Sequence, residues 1–89
     1  MVKQLIVFKE GDQAGVRLRE AAQILDQEVF PLDFRFDTML VTSIDKVLKR
    51  NRIDRVSPLD VLMEGFVDES SMATLIARSV VAALKIKLN

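Results

Sequence analysis

The 89-residue chain has no cysteine and no histidine. This removes disulfides, thiolate nucleophiles and metal sites built on thiolate or imidazole, together with the side chain best suited to moving protons near neutral pH. Any catalysis would rest on carboxylates, lysines or hydroxyls. Tryptophan and tyrosine are also absent, so no basic stretch carries either ring for stacking nucleic-acid bases. Neither sign of charge is in excess: 13 Lys and Arg balance 13 Asp and Glu, which leaves no overall field to attract a polyanion or an anionic membrane. Near the start, Leu5-Ile6-Val7-Phe8 is followed at once by charges. That run is too short for a signal peptide or a membrane span, and a soluble cytoplasmic protein is expected. There is no internal repeat, low-complexity tract or linker.

Apolar residues make up 49 % of the chain and charged ones 29 %, a globular composition. A chain of this length can bury one core, so residues 1–89 are expected to form a single domain.

Gln4 to Phe8 is short, β-branched and aromatic, with Gly11-Asp12 beyond it, and reads as a buried strand. The next segment admits two readings. Ala14, Leu18, Ala21, Leu25 and Val29 suit one helix face, whereas alternation at Val16-Arg17-Leu18-Arg19 and the run Ile24 to Leu32 suit two strands; we favour the strands. Thr38 to Asn51 predicts a helix, with Asp37 as its cap, Leu40, Ile44, Val47 and Leu48 at three- and four-residue steps, and basic residues in the last turns. Asp54 to Pro58 reads as a loop. Leu59 to Met63 reads as a strand closed by Gly65, although Ser57-Pro58 also resembles a helix start.

A final helix is predicted over Ser71 to Ile86, capped by Asp68 or Ser70. Met72, Leu75, Ile76, Ser79, Val80 and Ala83 form one of its faces. Ala73, Ala77, Val81, Leu84 and Leu88 lie beside it, and only Thr74, Arg78 and Lys85 form a polar strip. A helix that apolar needs cover on more than one side: a sheet supplies one, and a partner is expected to supply the other.

Three features invite a chemical reading. Gly11 to Gly15, with Lys9, Glu10 and Asp12, places glycines and acids after a strand, where phosphate loops sit, but it lacks a Walker or dinucleotide pattern and suits a hairpin turn better. Lys46, Lys49, Arg50, Arg52 and Arg55 form the densest basic cluster, for which a solvated helix end is the simpler account. Asp33, Asp37, Asp60 and Glu64 would serve a metal-dependent nuclease only with an acid in the first strand, and Leu5 to Phe8 has none.

The order of three strands, a helix, a strand and a helix resembles the first half of an actin-like or ribonuclease H-like lobe, with the first helix as a right-handed crossover. From Asp37 onwards the chain also resembles TsaB, the degenerate actin-like partner in threonylcarbamoyladenosine modification of tRNA. Phe36-Asp37-Thr38-Met39-Leu40-Val41-Thr42-Ser43-Ile44-Asp45-Lys46-Val47-Leu48 takes the place of that family's segment leading into the first helix. Glu69 to Ala77 stands where the family has a glycine-rich turn, without its glycines, and Val7-Phe8-Lys9 replaces the Ile-Asp-Thr of its first strand.

The likeness spans residues 37–88 and implies an α/β half-lobe and a non-catalytic subunit with no cofactor and no metal. It further implies association through the first two helices, as a homodimer or with a TsaD-like catalytic subunit. The implied contact residues are Met39, Ile44, Val47, Ala73, Ala77, Val80, Val81 and Leu84. Membrane association and direct nucleic-acid binding are not expected. A small ligand- or nucleic-acid-binding homodimer is the alternative.

Overall fold

A computed structural model describes residues 2–53 and 58–88. Six elements follow in order: β1 (Lys3–Glu10), β2 (Gln13–Glu20), β3 (Gln23–Pro31), α1 (Phe36–Arg50), β4 (Leu59–Glu64) and α2 (Met72–Leu88). The ambiguous segment is thus a pair of strands. Its tertiary setting decides the matter, because β2 lies between β1 and β3 and fills a ladder on both edges.

The four strands form one mixed sheet in the order β3-β2-β1-β4, with β1 antiparallel to β2 and parallel to β4. Two-residue turns join the antiparallel strands. Gly11, at φ 61, opens the first turn, while Ala21 holds φ 54 in the second. Gly11-Asp12 therefore belongs to a hairpin turn, with Glu10 paired to Gln13. Gly15 lies inside β2 for a different reason: a Cβ there would strike the carbonyl oxygen of Glu28 and come within 2.5 Å of the Phe8 ring.

Both helices cover the same face of the sheet. Strand alternation turns Leu5 and Val7 of β1, Ala14, Val16 and Leu18 of β2, and Leu59 and Val61 of β4 towards them, where they meet Leu40, Ile44 and Val47 of α1 and Ala77 and Val81 of α2 in one buried cluster. At one end of this core three phenyl rings meet across loops, Phe30 to Phe36 at 6.1 Å and Phe36 to Phe66 at 6.3 Å between centroids. No described element covers the opposite face, yet Ile6 and Phe8 there are buried. Arg17, the register partner of Ile6, lays its guanidinium 4.2 Å from the centre of the Phe8 ring and covers apolar surface with its stem.

The helix ends differ from the sequence expectation. α1 begins at Phe36, with Asp37 inside its first turn and not at the cap. Asp33 instead accepts the Arg35 amide through its side chain and the Phe36 amide through its carbonyl, and the helix starts two residues earlier than a cap at Asp37 would place it. The helix closes with the amides of Arg52 and Ile53 donating to the carbonyls of Lys49 and Leu48, with Arg52 at φ 56. That pattern is a Schellman ending with arginine where glycine is the commoner choice.

In α2 the cap is Ser71, whose hydroxyl accepts the Thr74 amide and donates to the Thr74 hydroxyl. Asp68 instead accepts bonds from the amide and hydroxyl of Ser70 in the preceding turn. Thr74, expected on the polar strip, is buried. Its hydroxyl is satisfied locally, which allows a polar residue to enter the sheet-facing side. The possible helix start at Ser57, the loop over residues 54–57 and the position of Arg55 lie outside the described residues.

Candidate interaction surface

The eight residues expected to meet a partner divide into two groups by burial. Ile44, Val47, Ala77 and Val81 lie in the core against the sheet, between 0 % and 6 % exposed. They already have apolar neighbours within the chain and offer almost no surface to another. Met39, Ala73, Val80 and Leu84 are half-buried, packed on the core from its rim. The division follows from helix geometry: Ala77 and Val81 share the sheet-facing stripe with Thr74, and Val80 and Leu84 lie one position round.

Around those rim residues the helical layer stays apolar. Val41, Ile44, Val80, Ala83 and Leu84 line a groove between α1 and α2 of about 240 Å³. Val41 is 56 % exposed at its mouth. Towards the N-terminal ends of the helices, Phe34, Phe36, Met72, Ala73 and Ile76 line a second depression with Asp33 and Asp37. Phe34 is almost wholly exposed, as are large parts of Met72 and Leu75. An apolar strip thus follows the outer side of the helix pair. The sequence signal for Met72, Ile76 and Ala83 was the continuous apolar face of α2. Val41 had no such signal, because it stands apart from the main stripe of α1.

The chemical candidates are not drawn together into a site. Gly11 and Asp12 form a turn whose backbone is engaged: the Asp12 carbonyl accepts the Leu32 amide at 2.9 Å. In the basic cluster, Lys49 pairs with Asp45 at 3.0 Å, and Arg50 turns back to Asp26 and Glu28 on β3. Asp33 and Asp37 border the N-terminal depression, whereas Asp60 and Glu64 are on β4. Among the described residues no group of three or more acids is close enough to hold a metal ion, and no helix is long and apolar enough to cross a membrane.

The resolved pKa shifts have structural causes. Partial burial pushes the Asp26 carboxyl up, but hydrogen bonds from Asn51 and Arg50 outweigh it and hold the group below its ordinary value. Arg50 is raised by its bonds to Asp26 and Glu28. Asp68 is lowered by its bonds from Ser70. Each is a local clamp or turn.

Two solved structures share this fold. One is YeaZ, the TsaB protein, from Pseudomonas aeruginosa. The other is described as an uncharacterized protein with similarity to peptidase YeaZ from the same organism. Each superposes on 99 % of this chain with a TM-score of 0.78 at 17 % sequence identity. The chain spans 40 % of the length of either neighbour. No family model matches the sequence, and no curated protein matches it.

Proposed function

We propose that this protein is a non-catalytic interaction subunit of the TsaB kind, built on a ribonuclease H-like half-lobe and acting with tRNA threonylcarbamoyladenosine modification. In this reading it associates through the outer surface of α1 and α2, with a second copy or with a TsaD-like subunit. The observation that carries the reading is the apolar groove of Val41, Ile44, Val80, Ala83 and Leu84, open on the side of the helices away from the sheet. The shared fold with YeaZ supports the assignment to this kind of subunit.

The groove suits a helical partner. Val80, Ala83 and Leu84 of α2 face Val41 and Ile44 of α1 across it, so a helix from another chain could lay side chains between the two ridges. Small Ala83 permits close approach. Burial of apolar surface at roughly 25 cal/mol per Å2 supplies the driving force, against which the entropy of association must be set.

The test is molar mass by light scattering for the native chain and for the Val41→Glu/Ala83→Glu variant, followed by titration of each with a TsaD-like subunit. The reading requires the native chain to form a dimer, or a heterodimer with that subunit, and the variant to form neither while keeping its helical circular dichroism. A native chain that is monomeric and inert towards the subunit overturns it.

A further inference from the structure

β3 carries one residue more than its ladder needs. Arg19 pairs with Ile24 and Leu18 with Asp26, so Leu25 between them has no partner, and regular pairing then continues to Gln13↔Pro31. This bulge decides which side chains of β3 face the helices. Residues directly opposite one another share a face of the sheet, and Leu18, Val16 and Ala14 belong to the core, so their partners Asp26, Glu28 and Phe30 point the same way. Two of those three are carboxylates, half-buried beside α1. The end of α1 holds them there: Arg50 bonds both, and Asn51 bonds Asp26. Among the described residues no other cation pairs with either acid.

Without the bulge the same two strands meet in a second register. Leu25 then stands opposite Leu18, Gln27 opposite Val16 and Val29 opposite Ala14, because a slip of one residue turns every side chain to the other face. The helix-facing set becomes two apolar residues and a neutral amide, none of which needs a cation. On the other face Asp26 comes opposite Arg17, which in the bulged register donates to Gln27 at 3.1 Å and pairs with Glu10 at 3.5 Å. The second register gives up Phe30, whose ring leaves Phe36 and the core. The clamp from α1 and one phenyl ring thus favour the bulged register, while apolar matching along β3 and the charge of Arg17 favour the regular one.

We infer that β3 is a two-register strand, held in its bulged register by Arg50 and Asn51, and that release of this clamp lets residues 25–31 slip by one position along β2. The slip is a conformational switch with effects at the far end of α1. It lengthens the connection from β3 to α1 by one residue, takes the Leu32 amide from the Asp12 carbonyl and opens the contact between Phe30 and Phe36. Phe36 also meets Phe66 and borders the depression lined by Met72, Ala73 and Ile76. An event at the C-terminal end of α1 therefore reaches the apolar surface at its N-terminal end, through an element that has two discrete arrangements.

The experiment uses the whole chain, isotope-labelled, and reads the register by nuclear magnetic resonance from cross-strand proton contacts. Contacts of Val16 with Glu28 mark the bulged register, and contacts of Val16 with Gln27 mark the regular one; saturation transfer detects a minor register in slow exchange. The native chain is expected to show the bulged register. Arg50→Gln, at an exposed position, should raise the population of the regular register about tenfold, with Val16–Gln27 contacts in a separate set of signals. Deletion of Leu25 removes the bulge yet keeps Asp26 opposite Leu18, so in the shortened chain Arg50→Gln should produce no second set. Circular dichroism checks that each variant is folded. An Arg50→Gln variant with Val16–Glu28 contacts alone would overturn the inference. So would β3 amides that lose protection without gaining Val16–Gln27 contacts, which is fraying, or the same second set of signals in the chain lacking Leu25.

Discussion

The guanidinium of Arg50 grips Asp26 with both arms of its fork, Nη2 donating to one carboxylate oxygen at 2.8 Å and Nε to the other at 3.0 Å. Asn51 donates to the same carboxylate at 2.8 Å while also bonding the Val47 carbonyl, and Arg50 reaches Glu28 at 3.2 Å. The last turn of α1 is thereby tied to edge strand β3, beside the irregularity in its ladder.

This clamp is acid-sensitive. The Asp26 carboxyl titrates below its ordinary value of 3.8 in the folded chain, so the folded state binds its proton less readily than the unfolded one. The stabilisation is fully present above pH 3.8 and is lost as pH falls through the lower folded-state value. Asp26→Asn should cost about 1 kcal/mol at neutral pH, after allowance for partial solvent screening of a charge-assisted bond. The difference between native and variant should shrink below pH 3.8, as measured by urea unfolding across that range.

Gly15→Ala should be severely destabilising, by more than about 2 kcal/mol, because the added methyl meets a backbone carbonyl as well as a ring. The Glu28 carbonyl can give way only by bending β3 out of the ladder. Thermal unfolding would measure the loss; an unchanged midpoint would mean that β3 yields to the methyl without leaving the ladder.

Ala21→Gly should act in the opposite direction. Alanine at φ 54 occupies the left-handed region, which costs an L-residue about 1–2 kcal/mol and glycine nothing comparable. Glycine brings greater unfolded-state entropy, which takes back about 0.4–1 kcal/mol. A net gain of several tenths of a kcal/mol, seen as a higher urea midpoint at the same slope, is the expected outcome.

Two alanines six residues apart on α2 should separate folding from association. Ala77 is wholly buried against the sheet, and Ala77→Glu would place a charge there with no partner, a cost of several kcal/mol that should abolish the cooperative unfolding transition. Ala83 is exposed at the groove, so Ala83→Glu should leave that transition in place and alter molar mass alone.

Loss of the α2 cap gives a smaller signal. Ser71→Ala removes the acceptor of the Thr74 amide and the donor to its buried hydroxyl, and should cost about 1–2 kcal/mol in chemical unfolding.

Local patterning was enough to read four of the six elements, β1, α1, β4 and α2. Branched and aromatic runs mark Gln4 to Phe8 and Leu59 to Met63 as strands, and three- and four-residue spacing marks α1 and α2 as helices, because these periods are set by the backbone itself. The surplus of apolar residues on α2 announces more than one covered side. Three matters depend on tertiary structure. Residues 13–31 are strands because β1 offers β2 a ladder, which overrides the helical propensity of Arg19 to Asp26. Which apolar residues of α2 face the sheet depends on how the helix is rotated about its axis: Ala77 and Val81 turn inward and Val80, Ala83 and Leu84 turn to the groove, a difference of one position that hydrophobicity does not encode. The position of β1 and β2 inside the sheet, each paired on both sides, exists only once the strands take the order β3-β2-β1-β4, since strand order is a property of the assembled sheet and of no single strand.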